Sequence, residues 1–134
     1  MMAGLSCMSQ RGRETKMTLS DLNTALRAIP GFDKKVAYRT FPVGKAPKLP
    51  FICYLCTNTD NFFADGITFQ VIQGVDVELY TAKKDVASEF AIENKLDALG
   101  LGWEKYEEYI DSENCYMITY STEIVMTESS VITT

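Results

Sequence analysis

The sequence predicts an α+β domain: an antiparallel or mixed β-sheet with two helices packed on one face, in the order α-β-β-β-α-β-β. Three observations predict it. Residues 65–85 read as a long strand, a short basic turn and a helix start, and the strand alternates with a period of two: Ile67, Phe69, Val71, Val75, Val77 and Leu79 lie on one side and Thr68, Gln70, Asp76 and Glu78 between them, with Ile72 and Tyr80 as exceptions on the even face. Two segments, 19–29 and 85–99, carry apolar residues at helical spacing between cap and stop signals. The remaining strand candidates are joined by short turns, which favours antiparallel neighbours with helices gathered on one face.

Residues 1–16 hold Arg11, Arg13, Glu14 and Lys16 among small and polar residues and read as a flexible N-terminal leader, which makes Met17 a candidate start. A single domain over 17–127 and a C-terminal tail at 128–134 complete the division. Thr18 followed by Asp21 is a variant capping box, and Leu19, Leu22, Leu26 and Ile29 mark the buried stripe of the first helix. Pro30 and Gly31 end it. A short strand is expected at 35–41. The prolines at 42, 47 and 50 make 42–50 a loop, because proline cannot donate to a sheet ladder. A buried strand is expected at 51–56, and a polar turn region at 57–66, interrupted by Phe62 and Phe63.

The long strand at 67–80 has Gln73 and Gly74 in mid-run, where glycine suggests a bulge or bend. Asp85 caps the second helix and Gly100 stops it. Its apolar residues fall in two groups on a wheel of about 100° per residue. Val86, Ala87, Phe90 and Ala91 form one; Ile92, Leu96 and Leu99 form the other. So wide an arc touches two surfaces: the sheet, and either the first helix or a neighbouring subunit. Residues 103–110 and 116–125 form a hairpin about a turn at 111–114. Glu104, Glu107, Glu108, Asp111 and Glu113 cluster there, as a solvated face or as an acidic surface with a purpose. Residues 126–134 either extend the last strand or form an arm.

Composition narrows the chemistry. A net charge of −5 argues against binding nucleic acid by neutralising phosphates. No apolar run approaches the roughly 20 residues of a membrane span, and the N-terminus has no apolar central block of a secretory signal, so folding in the cytoplasm is expected. The chain has no histidine, which removes Ser-His, Cys-His and His-metal arrangements. Cys53 and Cys56 match C-x-x-C as a string, but residues three apart on a strand point to opposite faces, so both are expected to pack as small hydrophobes. Gly100 and Gly102 follow a helix instead of opening one, the wrong context for a dinucleotide site. Asp60 and Asp65 are a carboxylate pair that spacing alone does not make catalytic. Tyr106, Tyr109, Tyr116 and Tyr120 sit among acids, which disfavours stacking on single-stranded nucleic acid. No catalytic residue, cofactor or metal is expected.

Several pieces in order carry a family resemblance: LPFICY at 49–54, NFFAD at 61–65, VELY at 77–80, Lys84-Asp85, and the hairpin tyrosines Tyr109, Tyr116 and Tyr120. Over residues 18–125 the chain resembles the small tail-completion or tail-terminator proteins of long-tailed bacteriophages and prophages of Gram-positive hosts. No single piece is diagnostic; order and spacing together make the likeness. The resemblance implies a non-enzymatic structural protein with a fold similar to the tail terminator of phage lambda. It implies a homo-hexameric ring on the head-proximal end of the tail tube, which ends polymerisation and joins the tail to the head-side connector. The implied partners are further copies of the chain, the tail tube protein and a neck protein, with DNA passing through the lumen without specific binding and no membrane. The implied location is the virion, at the head–tail junction, after assembly in the host cytoplasm. The expected assembly interface comprises Phe62, Phe63, Asp65, Tyr80, Lys84, Phe90, Ile92 and Leu96. A neighbouring neck component (head-closure or connector protein) is the alternative, followed by an unrelated small binding module.

Overall fold

A computed structural model describes residues 16–59, 62–64 and 67–126, with the backbone alone at 62–64 and 67–70. The leader up to residue 15, Asp65 and the tail at 128–134 lie outside the described residues. The elements are β1 (Lys16–Met17), α1 (Leu19–Arg27), β2 (Val36–Tyr38), β3 (Phe51–Thr59), β4 (Phe62–Ala64), β5 (Ile67–Gln70), β6 (Ile72–Thr81), α2 (Val86–Ala98), β7 (Trp103–Ile110) and β8 (Cys115–Met126). A 3₁₀ turn, Asp111–Glu113, joins β7 to β8, with Asn114 in the left-handed region at φ 52°.

α1 begins where its cap chemistry places it. The Asp21 N–H donates to Thr18 Oγ1 at 2.9 Å, and Asp21 Oδ2 accepts from the Thr18 N–H at 3.0 Å. Two otherwise orphaned donors are thereby satisfied. Thr18→Ala is expected to lower stability by about 1 kcal/mol, read as a fall in the urea midpoint at unchanged slope. Beyond the helix, Gly31 takes φ 91°, a conformation that needs no Cβ.

The main sheet runs β1-β8-β6-β3-β2, and β7 also pairs with β8. β6 occupies one edge of β8, so β7 and β1 share the other, β7 against 115–122 and β1 against 125–126. β1 with β8 and β2 with β3 are parallel; β3-β6, β6-β8 and β7-β8 are antiparallel. The sheet is therefore mixed and the domain α+β.

Register builds the core. Val77 lies between Tyr54 and Tyr120, and Leu79 between Ile52 and Ile118. These side chains pack in one cluster with Leu22 and Leu26 of α1 and Ile92 and Leu96 of α2, so both helices cover the same sheet face. Fully burying each such side chain is worth about 1.5–3 kcal/mol. The Tyr54 hydroxyl is satisfied by Asn23 Nδ2 at 3.0 Å, which ties α1 to the sheet.

Two expectations are corrected. The long alternating strand is split at Val71: β5 turns away to pair with β4 as a separate two-stranded sheet, and only β6 enters the main sheet. The expected turn region at 57–66 accordingly contains β4 and the end of β3. The element order becomes β-α-β-β-β-β-β-α-β-β, with Lys16 in the fold. A period of two reports which face a side chain takes, not which neighbour its backbone pairs with. The bulge expected from Gly74 lies across from it: the β3 register shifts between Cys56 and Thr59. A Cβ on Gly74 would press on Thr57 Oγ1 and stand 2.9 Å from the Asn58 carbonyl oxygen, so glycine lets the bulged strand approach. Cys53 and Cys56 are free and face opposite ways, opposite Glu78 and Val75 respectively. Burial, with the Glu78 carboxylate adding to it, pushes the Cys53 thiol up to about 11.

Candidate functional site

α2 buries two acids alongside two apolar residues: Glu89, Ile92, Glu93 and Leu96. Asp85 caps it, Oδ1 accepting from the Ser88 N–H at 3.1 Å and Oδ2 from the Ser88 hydroxyl at 2.8 Å. Of the two apolar groups on its wheel, Ile92 and Leu96 of one enter the core with Leu99 packed against it, whereas of the other only Ala91 touches it. Val86 is 48% and Phe90 58% exposed, while Glu89 is 1% exposed and Glu93 is buried beside it. The helix thus hides two carboxylates and shows a phenyl ring to water.

Burying carboxylates costs several kcal/mol unless cations and hydrogen bonds replace water. They do here. Lys105 Nζ lies 2.7 Å from Glu89 Oε1 and 2.8 Å from Glu93 Oε2, and Lys84 Nζ lies 2.9 Å from Glu89 Oε2. The Tyr120 hydroxyl donates to Glu93 Oε2 at 2.8 Å. Lys84 also meets Glu107 at 2.6 Å, at the solvent end of the cluster. For Glu89, burial alone would raise the carboxyl; the ammonium groups of Lys105 and Lys84 outweigh it and hold the carboxyl below its ordinary value. Lys105 is raised, first by its hydrogen bond to Glu89 and then by that to Glu93. Burial, then the bond to Glu93, pushes the Tyr120 phenol up. The cluster clasps α2, the loop before it, β7 and β8 together.

The other sheet face carries no helix. It presents Asp76, Glu78 and Tyr80 of β6, Met117, Thr119 and Ser121 of β8, and Glu104, Tyr106 and Glu108 of β7, as the register requires. Asp76 accepts from the Ser121 hydroxyl at 2.8 Å, and the Tyr80 hydroxyl donates to Glu78 Oε1 at 2.9 Å. The Glu78 carboxyl is raised, chiefly by burial and then by Asp76, against the Tyr80 hydrogen bond and Arg39. Two hollows open on this side. One, about 360 Å³, lies under the 39–51 segment and is lined by Phe41, Leu49, Phe51, Cys53 and Tyr80. The other, about 760 Å³, is polar and lined by Gly74, Asp76, Trp103, Glu104 and Ser121. Among the described residues, no three His, Cys, Asp or Glu groups are placed to hold a metal, and no helix is long and apolar enough to cross a membrane.

The expected interface residues do not form one surface. Phe62 and Phe63 lie in β4, opposite Gln70 and Thr68; their side chains and Asp65 lie outside the described residues. Tyr80 is half-buried against Phe51 on the helix-free face, with ring centroids 5.1 Å apart. Lys84 belongs to the clasp, and Phe90 is exposed on the helical side. Ile92 and Leu96 are corrected: both are fully buried in the chain's own core and have no surface to offer a partner. Glu89, Glu93 and Lys105 escaped the sequence reading. The signal available was two acids spaced i, i+4 on an otherwise apolar arc, with one lysine in an acidic strand. Compared with models of known protein families the chain matches none, and comparison with curated proteins finds no match either.

Proposed function

We propose that this chain is a structural protein of a long-tailed phage virion, a tail terminator that caps the head-proximal end of the tail tube as a ring. In that role it ends tube growth and joins the tail to the head connector. The resemblance over residues 18–125 supplies the family. The observation that carries the assembly reading is the outer face of α2. A helix that buries Glu89 and Glu93 while exposing Val86 and Phe90 offers an apolar patch to a macromolecule. The patch faces a large partner, the tube or the connector, while lysines hold the helix in that orientation from behind.

The test is the mass of the protein in solution, alone and mixed with the matching tail tubes, followed by electron microscopy of the mixture. A ring on one tube end is the expected result. Val86→Ser with Phe90→Ser is expected to leave folding stability within about 0.5 kcal/mol of wild type and to abolish capping. Protein that ignores tubes but binds the isolated connector would move the assignment to a neighbouring neck component. Protein that ignores both would end the reading.

A further inference from the structure

β2 and β3 run parallel, so the chain between them has to travel back along the sheet. A helix commonly makes that return. Here Pro42, Pro47 and Pro50 bar one, and residues 39–50 cross as a strap without regular structure. The strap passes over the helix-free face, where Ala46 and Leu49 share one hollow of about 360 Å³ with Tyr80 of β6 and Cys115 of β8.

Much of the lining is apolar. The rings of Phe41, Phe51 and Tyr80 follow one another at centroid distances of 5.2 and 5.1 Å. Cys53 and Cys115 are buried in the same lining. Burial is the chief cause that pushes both thiols and the Tyr80 phenol above their ordinary values, the mark of a site poor in water.

Two charges complete the hollow, one toward each end. Arg39 leaves β2 at φ 66°, rare for a residue with a Cβ, and its N–H donates to the Tyr54 carbonyl at 2.7 Å. Such strain persists only where the surroundings impose it, and it gathers at binding sites. Arg39 lines the hollow and opposes the rise that burial gives the Glu78 carboxyl, yet among the described residues it enters no ion pair. Glu113 belongs to the other end, where it helps burial raise the Cys115 thiol. By register, the backbone of Arg39 sits at the level of Val77, and Cys115 lies one residue beyond the level of Thr81, about 16 Å further along the strands.

We propose that this hollow binds a small carboxylate with an aromatic body, its carboxylate on Arg39 and its ring against Phe41, Phe51 and Tyr80. A guanidinium presents a planar fork that matches a carboxylate, and the rings match an aromatic face. The volume lies within the range of small-ligand sites. The site is across the sheet from the outer face of α2, and the proposal stands apart from the ring reading.

The test titrates the full chain with cinnamate, and with cinnamyl alcohol and cinnamylamine as neutral and cationic forms of the same body. Amide chemical shifts read the affinity and locate the site. Cinnamate is expected to bind about tenfold more tightly than the alcohol, and the amine more weakly still. Arg39→Met is expected to remove that preference and leave the alcohol unchanged. Glu78→Gln takes away a competing anion and is expected to tighten cinnamate. These opposite effects separate recognition from support of the fold, since structural damage would weaken binding in both variants. Ala46→Trp, which fills the hollow from the exposed strap, is expected to abolish binding of all these compounds. No shift with any of them at millimolar concentration overturns the proposal. Equal binding of acid and alcohol, a preference for the amine, or shifts confined to the helical side of the sheet overturn it too, as does a folded Ala46→Trp chain that still binds cinnamate.

Discussion

Replacing Lys105 with Met lowers folding stability by about 3 kcal/mol at neutral pH, the expected consequence of leaving two buried carboxylates with one cation between them. Methionine keeps most of the apolar stem, so the loss reports charge. The Lys84 side contributes less, since Lys84 and Glu107 are nearly half exposed and solvent screens them. The pH dependence has a definite sign. The folded Glu89 carboxyl lies below its ordinary 4.5, so its contribution is fully present above that value and is lost as pH falls through the lower, folded one. Lys105 lies above its ordinary 10.5, so its contribution is present below that value and is lost as pH rises through the raised one. The wild type should therefore show a plateau between these limits. The variant's deficit should shrink below the acid limit, where a protonated Glu89 no longer needs a cation. Urea titrations of both proteins across this range check it. A deficit that is equal at every pH would mean that the lysine stem, not its charge, supports the fold.

Val77→Asp abolishes cooperative folding. Val77 is 0% exposed and lies between Tyr54 and Tyr120 at the centre of the core. An aspartate there has no described cation within the core cluster and must either ionise unpaired or carry a proton in an apolar site. The cost of several kcal/mol is comparable with the roughly 5–15 kcal/mol that holds a domain together. Val43→Asp is the control: Val43 is 101% exposed at the tip of its loop, and the same chemical change should stay within about 0.5 kcal/mol. Circular dichroism and thermal melts of the two variants separate the cases. A native-like melt for Val77→Asp would mean that the odd-numbered face of β6 is not the core.

Local signals carried well from sequence to structure. The Thr18 box and the Asp85 cap are where short-range hydrogen bonding puts them. The hairpin of β7 and β8 turns where Asp111 and Asn114 favour it. The buried face of β6 follows from alternation alone. Each depends on residues within a few positions of one another, so one stretch of chain holds the whole cause.

The readings that changed depend on partners distant in sequence. The odd-face alternation of 67–71 resumes at Val75 after a break at Ile72, Gln73 and Gly74, and it is at this break that the backbone changes neighbours, with the bulge near the end of β3 and the β4-β5 pairing redirecting the chain. The two apolar groups of α2 predict contacts with two surfaces. Instead Phe90 faces out and Glu89 faces in, because Lys105, on a strand that follows the helix, stands where a buried carboxylate can meet it. By itself the sequence determined the helices, their caps, the terminal hairpin and the side of β6 that is dry, since propensity, capping and periodicity are local. Only the tertiary structure decided which strands are neighbours and which helix residues are outside. Those outcomes follow from the burial and pairing of groups that meet only when the chain is folded.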